Sequence, residues 1–447
     1  MRNRWIIAAA GTVSMICLGA VYSWSIFTQP LVASFGWSNT TTTWAFAWAI
    51  FFLGVGAVVG GRWQDRVGPR RVAVTGVLLW GLGNLLAGLG TAQFGPWWIY
   101  LTYGLIGGLG LGLGYITPVA TVTKWFPDMR GVGSGMVVMG FGLGAFVYSN
   151  VVKWVAPFAD ASRRAGAYLA AKASATTSAA DLARLAMRPE DVGAVMTVLA
   201  VSGLVFMVVG GLCATQLVNP PEGYTRPGAK AAAASAGRDY RPSEALRTPQ
   251  FYALWFMLFL NVTAGILFIS NAVPIMRELT GAGPATVLGI YGLIAVFNGL
   301  GRFFWGSISD RIGRNLAYVL IYGIQVAIFF AVGHVHQLGL VAALFAVVLL
   351  CYGGGFGTMP SFTADYFGTK YMGVVYGWIL LAWGVAGIVG PIFVAYVKDH
   401  TGSFSGALVY VAVMLVLATI LPIVTRKPGA SRPEHPHWPF FHRPAHR

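Results

Sequence analysis

Two stretches of this chain, GRWQDRVGPRR at residues 61–71 and GSISDRIGRN at residues 306–315, share the pattern G-x-x-x-D-R-x-G. They lie 245 residues apart, and each follows a long apolar run. A fainter echo, WFPDMRG at 125–131 and YFGTKYMG at 366–373, accompanies them. A polar loop that recurs at equivalent places marks an internal duplication, which is typical of secondary transporters. The repeat predicts two halves, joined by the Pro/Ala/Arg-rich stretch 217–248.

Composition leads to the same place. Of 447 residues, 56% are hydrophobic and only 10% charged, and the mean hydropathy is +0.68. A soluble chain would carry about 25% charged residues. The apolar residues gather in twelve segments, near 5–28, 43–61, 72–90, 97–123, 131–153, 192–216, 251–276, 285–305, 315–333, 339–362, 373–397 and 404–425. Each is about the length that crosses a bilayer as a helix, and none shows the short alternating strands of a membrane barrel. The expected fold is an all-α membrane protein of twelve transmembrane helices in two pseudo-symmetric six-helix bundles. The first bundle spans 1–216, the linker 217–248, the second bundle 249–425 and the tail 426–447.

Charge sets the expected orientation. With both termini inside, 21 Lys and Arg residues fall on the cytoplasmic side, 8 outside, and Arg302 within a span. That asymmetry predicts cytoplasmic termini, and the expected setting is a bacterial inner membrane. The formal charge of +16 is thereby explained by topology, so no nucleic-acid partner is expected. Cys17, Cys213 and Cys351 lie in apolar runs, and no metal spacing, phosphate loop or catalytic set occurs. No metal, cofactor or enzymatic activity is expected, and a monomer suffices. The Ala/Ser-rich extracellular segment 154–191 reads as a solvated loop, with helical turns as the alternative. The tail, with four of the seven histidines, reads as disordered rather than as a metal site.

In the paired loops, Gly61 and Gly306 permit close packing. Asp65 and Asp310, beside Arg66 and Arg311, can accept hydrogen bonds or pair with bases of a neighbouring helix end. Such contacts form in one conformation and break in another, which suits a switch.

Arg302 stands apart. It lies in the apolar run Ala285 to Trp305, and all 14 acids fall in polar connecting segments. A guanidinium is effectively always charged, and placing it in a bilayer costs about 3 kcal/mol on insertion scales. A cation there without an acid points to an anionic ligand as its counter-ion. Subtracting the repeat offset from 302 gives Ala57, so the loop pattern itself does not require Arg. Asn298, four residues earlier, shares its helix face.

The paired loops, with AVYSWSIFTQP (20–30), TKWFPDMRGVGSG (123–135), LRTPQFY (246–252), SNAVP (270–274), FNGLGRFFWGSISDRIGR (297–314) and TADYFGT (363–369), resemble the oxalate/formate antiporter family of the major facilitator superfamily. They are also similar to the monocarboxylate transporters. The resemblance implies alternating access and carboxylate transport, by anion exchange or proton-linked symport. It places the substrate-carboxylate arginine at Arg302. Asn298 stands where the animal monocarboxylate transporters carry an acid used in proton coupling, and Trp383 where oxalate exchange uses a second cation, a lysine. Tyr22, Trp24, Tyr115, Tyr352 and Phe356 match the family's aromatic cage or lie beside it. One fixed cation fits a monocarboxylate better than dianionic oxalate, so a lactate- or formate-like acid is the expected cargo. An oxalate/formate exchanger and a multidrug-type efflux carrier are the alternatives.

Overall fold

The computed structural model describes residues 3–174, 176–221, 224, 238–401 and 404–429. The middle of the linker and nearly all of the histidine-bearing tail lie outside them. Every regular element among the described residues is helical. In chain order the α-helices are α1 Arg4–Gly19, α2 Ser25–Phe35, α3 Asn39–Val67, α4 Pro69–Phe94, α5 Pro96–Ile99, α6 Gly108–Trp125, α7 Arg130–Lys153, α8 Ala156–Ala173, α9 Ala179–Leu185, α10 Pro189–Val205, α11 Gly211–Ala214, α12 Pro242–Ala245, α13 Pro249–Thr280, α14 Pro284–Ile294, α15 Val296–Ile312, α16 Arg314–Ala331, α17 Leu338–Phe367, α18 Met372–Thr401 and α19 Phe404–Val424.

Ten of the described helical segments are long and apolar enough to cross a membrane. Two further spans complete the twelve. One is broken at Ala295 into α14 and α15; the other is α19, whose described apolar part is Leu408–Val424. The first span is also interrupted, by a 3-10 turn at Ala20–Ser23 before α2. The helices overrun the apolar segments read from the sequence. Asp65, Asp310 and Asp365 therefore ride on the last turns of α3, α15 and α17 rather than in loops.

The last glycine of each repeat starts the next helix. Gly68 and Gly313 adopt φ of 84° and 87°, a region open to glycine and costly for other residues. Pro69 then opens α4 with its fixed φ.

Segment 154–191 is not a bare loop. It folds into α8 and α9, because its alanines favour helix and α8 has a face to bury. Phe158, Ala161 and Ala165 of α8 are buried, and Phe158 packs edge-on against Phe27 of α2, with ring centroids 5.5 Å apart.

The two halves meet along two antiparallel seams, α3 on α18 and α7 on α15. Glycine makes both seams close. A Cβ on Gly61 would fall 2.0 Å from the Gly373 carbonyl oxygen, and one on Gly306 would fall 2.6 Å from that of Gly131. The loop repeat of one half thus meets the echo of the other, and the contact is reciprocal.

Candidate substrate chamber and its clasps

α15 carries Arg302 into the α7 seam, where its exposure is 0%. Gly142 of α7 makes the room: a Cβ there would sit 2.9 Å from the Arg302 Nε. None of the three guanidinium nitrogens has a hydrogen-bond partner among the described residues. Two rings flank the cation, with the Phe356 centroid 4.7 Å and the Phe141 centroid 5.7 Å from Cζ. Each ring contact of this kind returns about 2 kcal/mol, whereas desolvating a lone charge costs several kcal/mol. The cation is therefore short of a negative partner.

Trp383 of α18 is 1% exposed and forms the hub of the aromatic cluster. Its ring lies 4.9 Å from Phe356, 5.4 Å from Phe141, 5.4 Å from Tyr115 and 6.1 Å from Tyr22. Tyr352 lies beside Phe356, 5.6 Å away, on α17. Its ring fits against Gly265 of α13, where a Cβ would meet Cε2 at 2.0 Å. Both halves build the cluster: α6, α7 and the first span from one side, α15, α17 and α18 from the other. The hydroxyls of Tyr22, Tyr115 and Tyr376 are buried and make no well-formed hydrogen bond among the described residues, while those of Tyr22 and Tyr115 lie close enough to the Arg302 guanidinium to interact with it. One cation and three phenolic hydroxyls, buried together among aromatic rings, can complete the coordination of a single carboxylate.

Two expected site residues sit differently. Trp24 does not join the cluster. Its indole N–H donates to the Thr42 carbonyl at 2.8 Å, and its ring packs 4.4 Å from Tyr103. The 3-10 turn rotates it into the core of the first half, away from Tyr22. Asn298 packs on α17 at Gly353, and its Oδ1 is buried without a hydrogen-bond partner.

At one end of the molecule the paired loops clasp the seams. Asp310 accepts from the backbone N–H groups of Gly131 and Val132 at 2.9 and 3.0 Å, capping the start of α7. Arg314 pairs with Asp310 at 2.6 Å and Asp365 at 2.8 Å, and Arg130 of the opposite half reaches Asp365 at 2.7 Å. The other clasp is sparser. Asp65 accepts from the Val374 N–H at 3.3 Å, near the start of α18, and Lys124 stands 3.9 Å away. Arg66 and Arg311, expected in these loops as switch residues, are exposed and form none of these contacts. The helix turn that aims each Asp at the seam aims the next residue outward. Ser134 and Ser361 join the halves just inside, Oγ to Oγ at 2.9 Å.

A family model described as the Major Facilitator Superfamily matches residues 9–391. The chain belongs to that superfamily. This facilitator is 29% identical over 394 residues to the oxalate:formate antiporter of Oxalobacter formigenes, covering 87% of the chain and 83% of that relative. It is 27% identical over 369 residues to the apicoplast pyruvate carrier 1 of Toxoplasma gondii, covering 76% and 66%. The crystal structure of the superfamily transporter FucP in the outward conformation superposes with a TM-score of 0.66, at 16% identity, over 94% of the facilitator and 99% of FucP. These likenesses make it a multi-pass membrane carrier and not an enzyme.

Reading the facilitator's sequence missed Phe141, Tyr376 and the clasp residues Lys124, Arg130, Arg314 and Asp365. Phe141 carried a usable signal, since it is a ring set between Gly140 and Gly142. The basic clasp residues had counted only towards topology.

Proposed function

We propose that this facilitator carries small monocarboxylate anions by alternating access, with Arg302 as the carboxylate-binding group. The observation that carries this reading is the buried guanidinium without a hydrogen-bond partner, set among Tyr22, Tyr115 and Trp383. A carboxylate can take two parallel N–H donors from the guanidinium fork, with the hydroxyls of Tyr22 and Tyr115 completing its coordination and Asn298 one turn away. Phe356, Tyr352 and Trp383 wall off the remainder of a small acid. Trp383 adds no charge, so a dianion would hold one negative charge uncompensated in a dry site, which is costly.

The cycle follows from the charge. The empty chamber holds an unmatched cation and resists occlusion. A bound anion neutralises it and lets the halves rock about the glycine seams, opening the clasps and closing them again. Exchange of one anion for another is the reading this favours over proton-linked symport, because the chamber residues named here include no carboxylate to carry a proton. The clasps face the cytoplasm, with both termini on that side, and the halves are joined by the linker 217–248.

The test is counterflow of labelled monocarboxylates into proteoliposomes. Truncating one partner of a buried charge pair costs about 2–5 kcal/mol, so Arg302→Ala is expected to lower exchange by roughly thirtyfold or more. Full exchange by that variant overturns the assignment. Oxalate outcompeting every monocarboxylate overturns the cargo class but leaves Arg302 in place.

A further inference from the structure

At the end of the first half opposite the clasps, α2, α7 and α8 enclose a crevice of about 500 Å³. Its polar lining includes Gln29, Ser149, Lys153, Ser162 and Arg163, and no carboxylate lines it. Arg163 shares its charge with the exposed Asp160, whereas Lys153 forms no ion pair among the described residues. The Ser162 Oγ is buried and without a hydrogen-bond partner. The first turn of α8 also borders the crevice, adding the positive end of a helix dipole. Beneath this rim the lining turns apolar, with Ile26, Pro30 and Phe158. A basic, hydroxyl-bearing rim over an apolar floor matches an amphiphile whose head is an oxyanion.

Location narrows the ligand. Trp154 follows Lys153 directly and is 89% exposed; Trp97 and Phe94, at the same end, are 78% and 62% exposed. Exposed tryptophans collect at the level of lipid headgroups. The crevice therefore opens at the membrane–water boundary rather than in bulk solvent.

We infer that this crevice binds an anionic phospholipid by its phosphodiester, held by Lys153 and Arg163, with Ser162 as hydrogen-bond donor and the glycerol end against Phe158. The site is separate from the aromatic chamber and does not rest on the carboxylate reading. It would join the outer segment α8 to the first span and α7 through a lipid, stiffening that end of the first half.

The experiment uses the full chain in detergent micelles, titrated with short-chain phosphatidylglycerol or with phosphatidylcholine of the same chains, while its thermal unfolding midpoint is read. A ligand that prefers the folded protein raises that midpoint. Phosphatidylglycerol is expected to give a saturable rise that phosphatidylcholine does not match. Lys153→Gln is expected to raise the half-saturating concentration about fivefold, since one basic residue near an anionic lipid is worth about a factor of that size. Ser162→Ala tests the buried hydroxyl with a minimal change and should weaken the response further when combined with Lys153→Gln. An equal rise with phosphatidylcholine, an unchanged response in both variants, or the same rise with inorganic phosphate overturns the inference.

Discussion

The C-terminal turns of α3 and α15 carry one pattern and grip the opposite half unequally. Asp310 holds two backbone N–H groups near 3.0 Å and belongs to a four-member charge cluster with Arg314, Asp365 and Arg130. Asp65 holds one N–H at 3.3 Å, and its base stands 3.9 Å away. The cause lies outside the shared pattern. At the position of Arg314 the first copy has Pro69, and where the second echo has Asp365 the first has Lys124. Backbone approach does not separate the seams. Gly61 sits tighter on its partner carbonyl than Gly306, with hypothetical Cβ contacts of 2.0 and 2.6 Å, but Gly131 sits tighter than Gly373, at 1.9 and 2.9 Å. Both seams are closely packed, and one carries the charge cluster in addition. Duplication thus preserved the shape of the clasp while its energetics diverged.

The divergence can be measured through a reporter cysteine at Ser134, which is buried just inside the clasps, with Cys17, Cys213 and Cys351 replaced beforehand. Its labelling rate reads the fraction of molecules opened at that end. The largest effect is expected for Asp310→Ala. It removes the acceptor of two backbone N–H groups and of the Arg314 guanidinium, and a hydrogen bond to a charged group is worth about 1.5–3 kcal/mol, so labelling should rise roughly tenfold to a hundredfold. Asp65→Ala should cost only about 1 kcal/mol, roughly a fivefold rise. Equal effects at the two positions would make the clasps equivalent and remove the comparison.

The glycines should reverse that order. Overpacking costs about 1–3 kcal/mol, and Gly61→Ala is expected at the upper end with Gly306→Ala at the lower, read in the same assay. A larger effect at Gly306 would show that packing and charge are concentrated in one seam. The smallest change is expected for Lys124→Met, at most about 1 kcal/mol, because an ion pair held as far apart as 3.9 Å contributes little. A loss as large as that from Asp310→Ala would reveal a stronger Asp65–Lys124 bond than the distance implies.

Much of this molecule was legible in order along the chain. The repeat at 61–71 and 306–315, the apolar runs and the acid-free surroundings of Arg302 all sit in the sequence as pattern. Trp383, Tyr115, Tyr22, Phe356 and Tyr352 lie together around Arg302. Trp24 does not: two residues along a 3-10 turn point about 120° apart, so Tyr22 and Trp24 meet different neighbours, and a turn at Ala20–Ser23 leaves no mark in hydropathy. Segment 154–191 misled because its alanines are compatible both with a solvated loop and with a helix; the buried face of α8 decided between them.

Sequence alone determined that the chain crosses a membrane many times, that it is built twice, and that one arginine lies where its charge is expensive. Those are one-dimensional facts, set by hydropathy, period and the cost of desolvation. Only the tertiary structure decided that Phe141 and Tyr376 join the chamber, that Asp310 is tied down more firmly than Asp65, and that Arg302 lacks an acceptor. Each of these depends on which helix faces the residue across a seam, and that is set by glycines whose partners lie hundreds of residues away.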